Sequence, residues 1–203
     1  MKESVNFSFA IKIQIASVLF NTLAFKPLFM NRLLICLLLL LPAFSFAQDW
    51  KTFDQADILF TAKYPANWIN KIKEGKRVFF TSPSENDSDD FFQNINIAVT
   101  TNPKFGTTVK IKDVIQDIVD KVQGSFNEFN EEARNSYKWN GMDAFEITYT
   151  GNTKSGDATS VRITQRICFY KTRLYLLTYT ALKSGDVFAA TAKQIINTIK
   201  FKP

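Results

Sequence analysis

The stretch VRITQRICFYKTRLYLLTYTA, Val161 to Ala181, decides the fold. Val161, Ile163, Ile167 and Phe169 alternate with Arg162, Thr164, Arg166, Cys168 and Tyr170, the period of two expected of a strand with one buried face. Lys171-Thr172 marks a tight turn, and Leu174 to Ala181 resumes as a second strand. Strands joined so closely run antiparallel, because a parallel pair needs a crossover of roughly a dozen residues or more.

Working back from that hairpin, the pattern repeats. Phe145, Ile147 and Tyr149 line one face of a strand, and Asn140-Gly141 before it predicts a type I′ turn from an extended segment, Phe126 to Trp139. The polar run Gly151 to Asp157 reads as an exposed loop. Ile111, Val114, Ile115, Ile118, Val119 and Val122 recur at helical spacing, with Gly124 placed to end the helix and Thr107 or Thr108 to cap its start. Ile95, Ile97 and Val99 share one face of a strand, while Asn94, Asn96 and Ala98 share the other. Residues 71–76, with Gly75, form a hairpin tip leading into the strand Arg77 to Thr81. A first strand runs from Ile58 to Tyr64-Pro65, where proline forces a turn. Working forward, a last helix from Ser184 to Asn197 presents Phe188, Ala192, Ile195 and Ile196, and Ile199 to Phe201 closes the chain. The expectation is an α+β domain with layers built on a largely antiparallel sheet.

The start of the chain reads differently. Met30 to Ala47, MNRLLICLLLLLPAFSFA, has a short n-region with Arg32 and an apolar run from Leu33 to Leu41, broken by Pro42. Small residues follow at Ser45 and Ala47. This is the pattern of a secretory signal cleaved between Ala47 and Gln48, and the apolar run is short for a membrane span. Residues 1–29 then precede an internal start at Met30, or Phe7 to Phe25 forms a membrane segment paired with the second. The expected organisation is an extension over 1–29, a signal over 30–47 and one domain over 48–203, exported to the periplasm or secreted.

Charge follows from that processing. The whole chain carries +6. Cleavage removes Lys2, Lys12, Lys26, Arg32 and Glu3, leaving 21 basic and 18 acidic residues, a net of +3. That value gives no reason to expect nucleic-acid binding. Cys36 leaves with the signal, so Cys168 has no intramolecular partner for a disulfide. With no histidine in the chain, imidazole metal sites and histidine general bases are excluded. There is no G-x-S-x-G, P-loop or dinucleotide fingerprint, and no pair of acids stands out for glycoside chemistry. No catalytic residue and no cofactor is expected.

Several pieces coincide in order: FTAKYPANW (Phe60 to Trp68), VFFTSP followed by acids and FFQNINIAV, the NG turn in YKWNGMDAFEITYT, RLYLLTYTA (Arg173 to Ala181) and NTIKF at the end. Together they resemble the PsbP-like family, named for an extrinsic subunit of photosystem II and including many exported bacterial proteins. The resemblance covers about residues 50–203. It implies an α/β/α sandwich, a largely antiparallel central sheet flanked by helices. It also implies a non-enzymatic binding or accessory domain with a protein partner at the cell envelope. Nothing in the chain points to photosynthesis, since function transfers poorly with fold.

Four groups of residues compete with that reading. Glu85, Asp87, Asp89 and Asp90 crowd together as calcium candidates, yet an EF-hand loop begun at Asp87 puts Phe92 and Ala98 where glycine and glutamate belong. Ser, Pro, Asn and Asp around them are ordinary turn formers, and the sequon Asn86-Asp87-Ser88 argues only for exposure. Cys168 is either activated by Arg166 or packed as a buried thiol. Trp68, Tyr149, Tyr175 and Tyr179 either line a ligand cleft or fill the core. Lys71, Lys73, Lys76 and Arg77, if adjacent to Arg162, Arg166, Lys171 and Arg173, make a basic patch for an acidic partner or a phospholipid surface, with peripheral membrane association. A small-ligand or calcium-binding protein is therefore the alternative function, and a hydrolase the third.

Overall fold

The computed structural model describes residues 49–73, 76–87, 90–154 and 159–203. The signal segment with Ala47 and Gln48, the extension 1–29, Gly75, Ser88 of the sequon and Asp89 lie outside them. Among the described residues, ten strands and two α-helices follow in order: β1 (Trp50–Gln55), β2 (Phe60–Pro65), β3 (Ile69–Lys73), β4 (Arg77–Thr81), β5 (Asn94–Thr101), α1 (Ile115–Gly124), β6 (Phe126–Trp139), β7 (Met142–Thr153), β8 (Ser160–Tyr170), β9 (Arg173–Leu182), α2 (Ala189–Asn197) and β10 (Lys200–Phe201). A 3-10 turn, Ile111–Asp113, leads into α1.

Seven strands form one sheet in the order β3-β4-β5-β9-β8-β7-β6, and β1, β2 and β10 form a second in the order β1-β2-β10. Every strand pair is antiparallel. The hairpin that decides the fold lies at the centre, with Tyr170 opposite Arg173 and Val161 opposite Leu182. β6 and β7 turn through Asn140 (φ 49°) and Gly141 (φ 80°), both in the left-handed region as a type I′ turn demands.

Alternation sends the two faces of the large sheet into separate cores. Ile95, Ile97, Val99, Tyr175, Leu177 and Tyr179 join Phe53, Phe60, Phe80, Ala192, Ile195 and Ile196, so this face is covered by α2 and the small sheet. Phe145, Ile147, Tyr149, Ile163 and Ile167 join Val119 of α1 on the opposite face. The predicted stripe of the last helix holds, since Ala192, Ile195 and Ile196 are buried. Phe60 and Phe80 are fully buried, with Phe53 edge-on to Phe80 at 5.8 Å between centroids.

Five sequence expectations are corrected. The chain begins its sheets earlier, at β1, where only Phe53 is buried and the alternation is masked by polar neighbours. Ile58 is buried as expected, but it sits in the turn before β2, with Leu59 at φ 60°. Neither Thr107 nor Thr108 caps the first helix. The backbone N–H of Lys110 donates to Asp113 Oδ2 at 2.7 Å, and Thr107 Oγ1 donates to the carbonyls of Pro103 and Lys104. Gly151 to Thr153 extends β7 instead of opening a loop, because Phe126 of β6 packs over Gly151, 3.1 Å from where a Cβ would stand. The last helix starts at Ala189, five residues late, after Asp186 has accepted a hydrogen bond from Tyr179 at 2.5 Å.

Candidate functional site

A groove of about 770 Å³ lies at the end of the sheet where β6, β7 and the 3-10 turn meet. Ile111, Ile115, Met142, Ala144 and Phe169 give it an apolar floor, and Lys110, Lys112 and Lys138 stand along it. Its wall is held by Phe105, stacked on Phe169 with centroids 4.9 Å apart and planes 11° from parallel. Lys138 pairs with Asp143 at 2.7 Å and Lys110 Nζ donates to the Gly106 carbonyl at 3.3 Å. Lys112 makes no ion pair among the described residues, which leaves the groove net positive. The alternating lysines of KIK, Lys110 to Lys112, were the available sequence signal, but they fall inside a stretch read only for its helical apolar stripe.

Gly106 fixes the loop that edges this groove. Its φ is +73°, and a Cβ there would stand 2.8 Å from the Lys171 carbonyl oxygen. Gly106→Ala is expected to lower stability by about 1–3 kcal/mol, through both positive φ and backbone contact. Chemical denaturation measures it; an unchanged midpoint would show that the loop yields freely.

The predicted site residues scatter. Lys71, Lys73, Lys76 and Arg77 belong to or adjoin the β3-β4 hairpin at one edge of the large sheet, and Lys73 lies 5.0 Å over the Phe79 ring. Arg162 bonds Glu132 at 2.7 Å, and Arg166 bonds Glu146 at 2.8 Å while stacking on Trp139 at 4.8 Å. Lys171 sits at the β8-β9 turn. Lys76 and Arg173 do converge, on the carboxylate and the carbonyl of Asp57 respectively. The eight cations are thus divided between a sheet edge, paired positions on β8, the β8-β9 turn and a corner at Asp57.

The aromatic set divides too. Trp68, Tyr175 and Tyr179 lie in the core beneath α2, whereas Tyr149 lies in the core beneath α1. Tyr175 donates to the Ile58 carbonyl at 2.9 Å, and burial pushes its phenol up to about 12. Cys168 is fully buried, and desolvation pushes its thiol up to about 12 against a smaller lowering by Arg166. A thiol so held is protonated and inert at neutral pH.

In the acidic loop, Glu85 accepts a hydrogen bond from Gln93 Nε2 at 2.5 Å. Gln93 is itself fully buried, and its Oε1 accepts from Ser82 Oγ at 3.1 Å. Glu85 therefore ties the loop to the core, while Asp87 and Asp90 are exposed. Among the described residues no group of three His, Cys, Asp or Glu is gathered to hold a metal. No helix among them is long and apolar enough to cross a membrane.

A largely antiparallel α+β domain of this kind has known relatives. A family profile described as PsbP-like protein matches residues 44–201. The chain belongs to the PsbP-like protein family. No curated protein matches it. Among solved structures it is similar to a Bacteroides thetaiotaomicron protein at 20% identity and TM-score 0.50, over 75% of this chain but only 48% of that one. It spans about half of that protein's length. It is similar to cyanobacterial PsbP from Synechocystis at 11% identity and TM-score 0.53, over 76% of this chain and 93% of that one. The Saccharomyces cerevisiae Ran-binding protein Mog1p is similar at 11% identity and TM-score 0.51, over 76% and 96%. At these identities the likeness is one of fold.

Proposed function

We propose that the chain is an exported, non-catalytic member of the family that binds a protein partner at the cell envelope, through the lysine-bearing groove beside Gly106. The helices on opposite faces of its antiparallel sheet support the α/β/α layering implied by the family. The observation that carries the function is the groove itself, an apolar floor under Lys110, Lys112 and Lys138. Such a surface fits an acidic segment of a partner that also offers apolar side chains, charge giving orientation and burial giving affinity. The similar fold of a Ran-binding protein supports a partner-binding use of this scaffold. The loop around Glu85, Asp87 and Asp90 is proposed to be a structural turn without calcium, and no cofactor is invoked.

A photo-crosslinkable residue at Lys112 or Lys138 should capture one discrete partner in the cell envelope, whereas one at Lys51 on the small sheet should not. With the crosslinker kept at Lys112, joint reversal of Lys110 and Lys138 to glutamate should abolish that adduct. Equal capture from both surfaces, or an enzymatic activity that survives purification and is lost on a single carboxylate substitution, would overturn the reading. Calcium at millimolar concentration should leave the melting temperature unmoved.

A further inference from the structure

The large sheet is wider than the helix that covers it. Seven strands spaced about 4.8 Å apart span roughly 29 Å, whereas a helix with its side chains is about 10–12 Å across. α1 covers the side built by β6, β7 and β8, where Val119 is buried with Phe145, Ile147 and Ile163. Past its last turn, at Val122 and Ser125, a cavity of about 290 Å³ opens over β5, β9 and β8. Phe126, Tyr149, Ile163 and Leu176 wall it, and Arg77 stands among its lining residues.

The floor of this cavity is polar where packing alone would make it apolar. Asn96, Thr178 and Gln165 form one row across the sheet, Asn96 opposite Thr178 and Thr178 opposite Gln165. Gln165 is only 7% exposed, on the face that otherwise presents Val161, Ile163 and Ile167. Its Nε2 donates to Thr178 Oγ1 at 3.3 Å. Its Oε1 and the Oδ1 of Asn96 have no donor among the described residues. Turning the Gln165 amide over moves the deficit to nitrogen without removing it. A buried amide left short of a partner is costly, and native interiors rarely keep one without a use.

We propose that this cavity binds a small, flat organic acid carrying a hydrogen-bond donor at the end opposite its carboxylate. The donor meets the amide oxygen of Gln165, with Asn96 beside it; the ring lies against Phe126, Tyr149 and Leu176; the carboxylate meets Arg77. The volume equals roughly ten waters' share of the liquid, enough for one ring with its substituents. The cavity shares no lining residue with the groove of the partner proposal, so either stands without the other.

The test is calorimetric titration of the purified full-length chain with three probes: 4-hydroxyphenylacetate, phenylacetate and 4-hydroxyphenylacetamide. The first should bind, and the other two, lacking the donor or the charge, should bind about tenfold more weakly. Gln165→Leu should bind 4-hydroxyphenylacetate and phenylacetate alike while melting no lower than the parent, since it removes an unpaired buried amide. Arg77→Gln, an exposed position that does not threaten folding, should erase only the preference for acid over amide. No heat from any probe at about 10 mM, or a hydroxyl preference that survives Gln165→Leu, would leave the cavity a water-filled gap and overturn the proposal.

Discussion

Carried to strongly alkaline pH, the domain is expected to unfold cooperatively as its buried tyrosines ionise. Tyr149, Tyr175 and Tyr179 are 1%, 2% and 8% exposed. Desolvation is the first cause holding each phenol above its ordinary 10.0, and for Tyr179 the carboxylate of Asp186 adds to it. The Cys168 thiol, ordinarily 9.0, is held up to about 12. All four groups are neutral when protonated, so below pH 9 they make no difference between folded and unfolded chains. Above pH 9 to 10 the unfolded chain gives up protons that the folded chain retains until its own raised values are reached. Stability therefore falls as pH rises through that window, by about 1.4 kcal/mol per pH unit for each group. Four groups together give roughly 5 kcal/mol per unit, against a whole stability of about 5–15 kcal/mol. Circular dichroism and tyrosinate absorbance should change together above pH 10, and Tyr149→Phe should move the transition upward. Phenols that titrate one by one near pH 10 with the dichroism intact would refute this.

Deleting residues 199–203 is expected to cost on the order of 5 kcal/mol or more, enough to leave the chain largely unfolded. Ile199 is 2% exposed, and Phe201 packs on Trp139, Tyr170 and Tyr175 at 5.4, 4.9 and 4.8 Å between centroids. The same residues also supply hydrogen-bond partners to Leu59, Tyr170 and Asn140. Lys202 N–H donates to the Leu59 carbonyl at 3.0 Å, Tyr170 Oη donates to the Lys202 carbonyl at 2.5 Å, and Asn140 Nδ2 donates to the Ile199 carbonyl at 2.9 Å. β10 has only two residues, so its pairing alone explains little of this loss. Phe201→Ala should cost about 3 kcal/mol by itself. A truncated chain with an unchanged denaturation midpoint would show that these contacts are dispensable.

The strands and helices that were legible in the sequence are those with a one-sided apolar pattern: the hairpin from Val161 to Ala181, the strand through Ile95, Ile97 and Val99, and the stripe from Ala192 to Ile196. β1 was missed because a strand at the margin of a small sheet buries one side chain, Phe53, and leaves no period to read. Gly151 misled because glycine usually marks a turn, whereas here it makes room for Phe126. The groove was invisible because its parts, Gly106, Lys112, Lys138 and Phe169, come from separate segments that meet only through the fold. Gln165 was a stronger clue, a polar residue interrupting an apolar face, but its meaning depends on Asn96, which is distant in sequence and two strands away.

The margins of the large sheet are built against company. β6 is an edge fourteen residues long, yet its pairing with β7 slips between Asn127 and Asn130 and again between Glu131 and Ala133. Glu128 enters the first slip at φ 52°, and Glu132 and Arg134 put charge beside the second. At the other margin β3 stops after five residues and carries Lys71 between its exposed isoleucines, Ile69 and Ile72, and Lys73 just after them. Neither edge offers a long, straight, uncharged row of backbone groups to another molecule's strand. A domain that is more than half sheet can thus be crowded among its own copies without seeding fibrils through these edges.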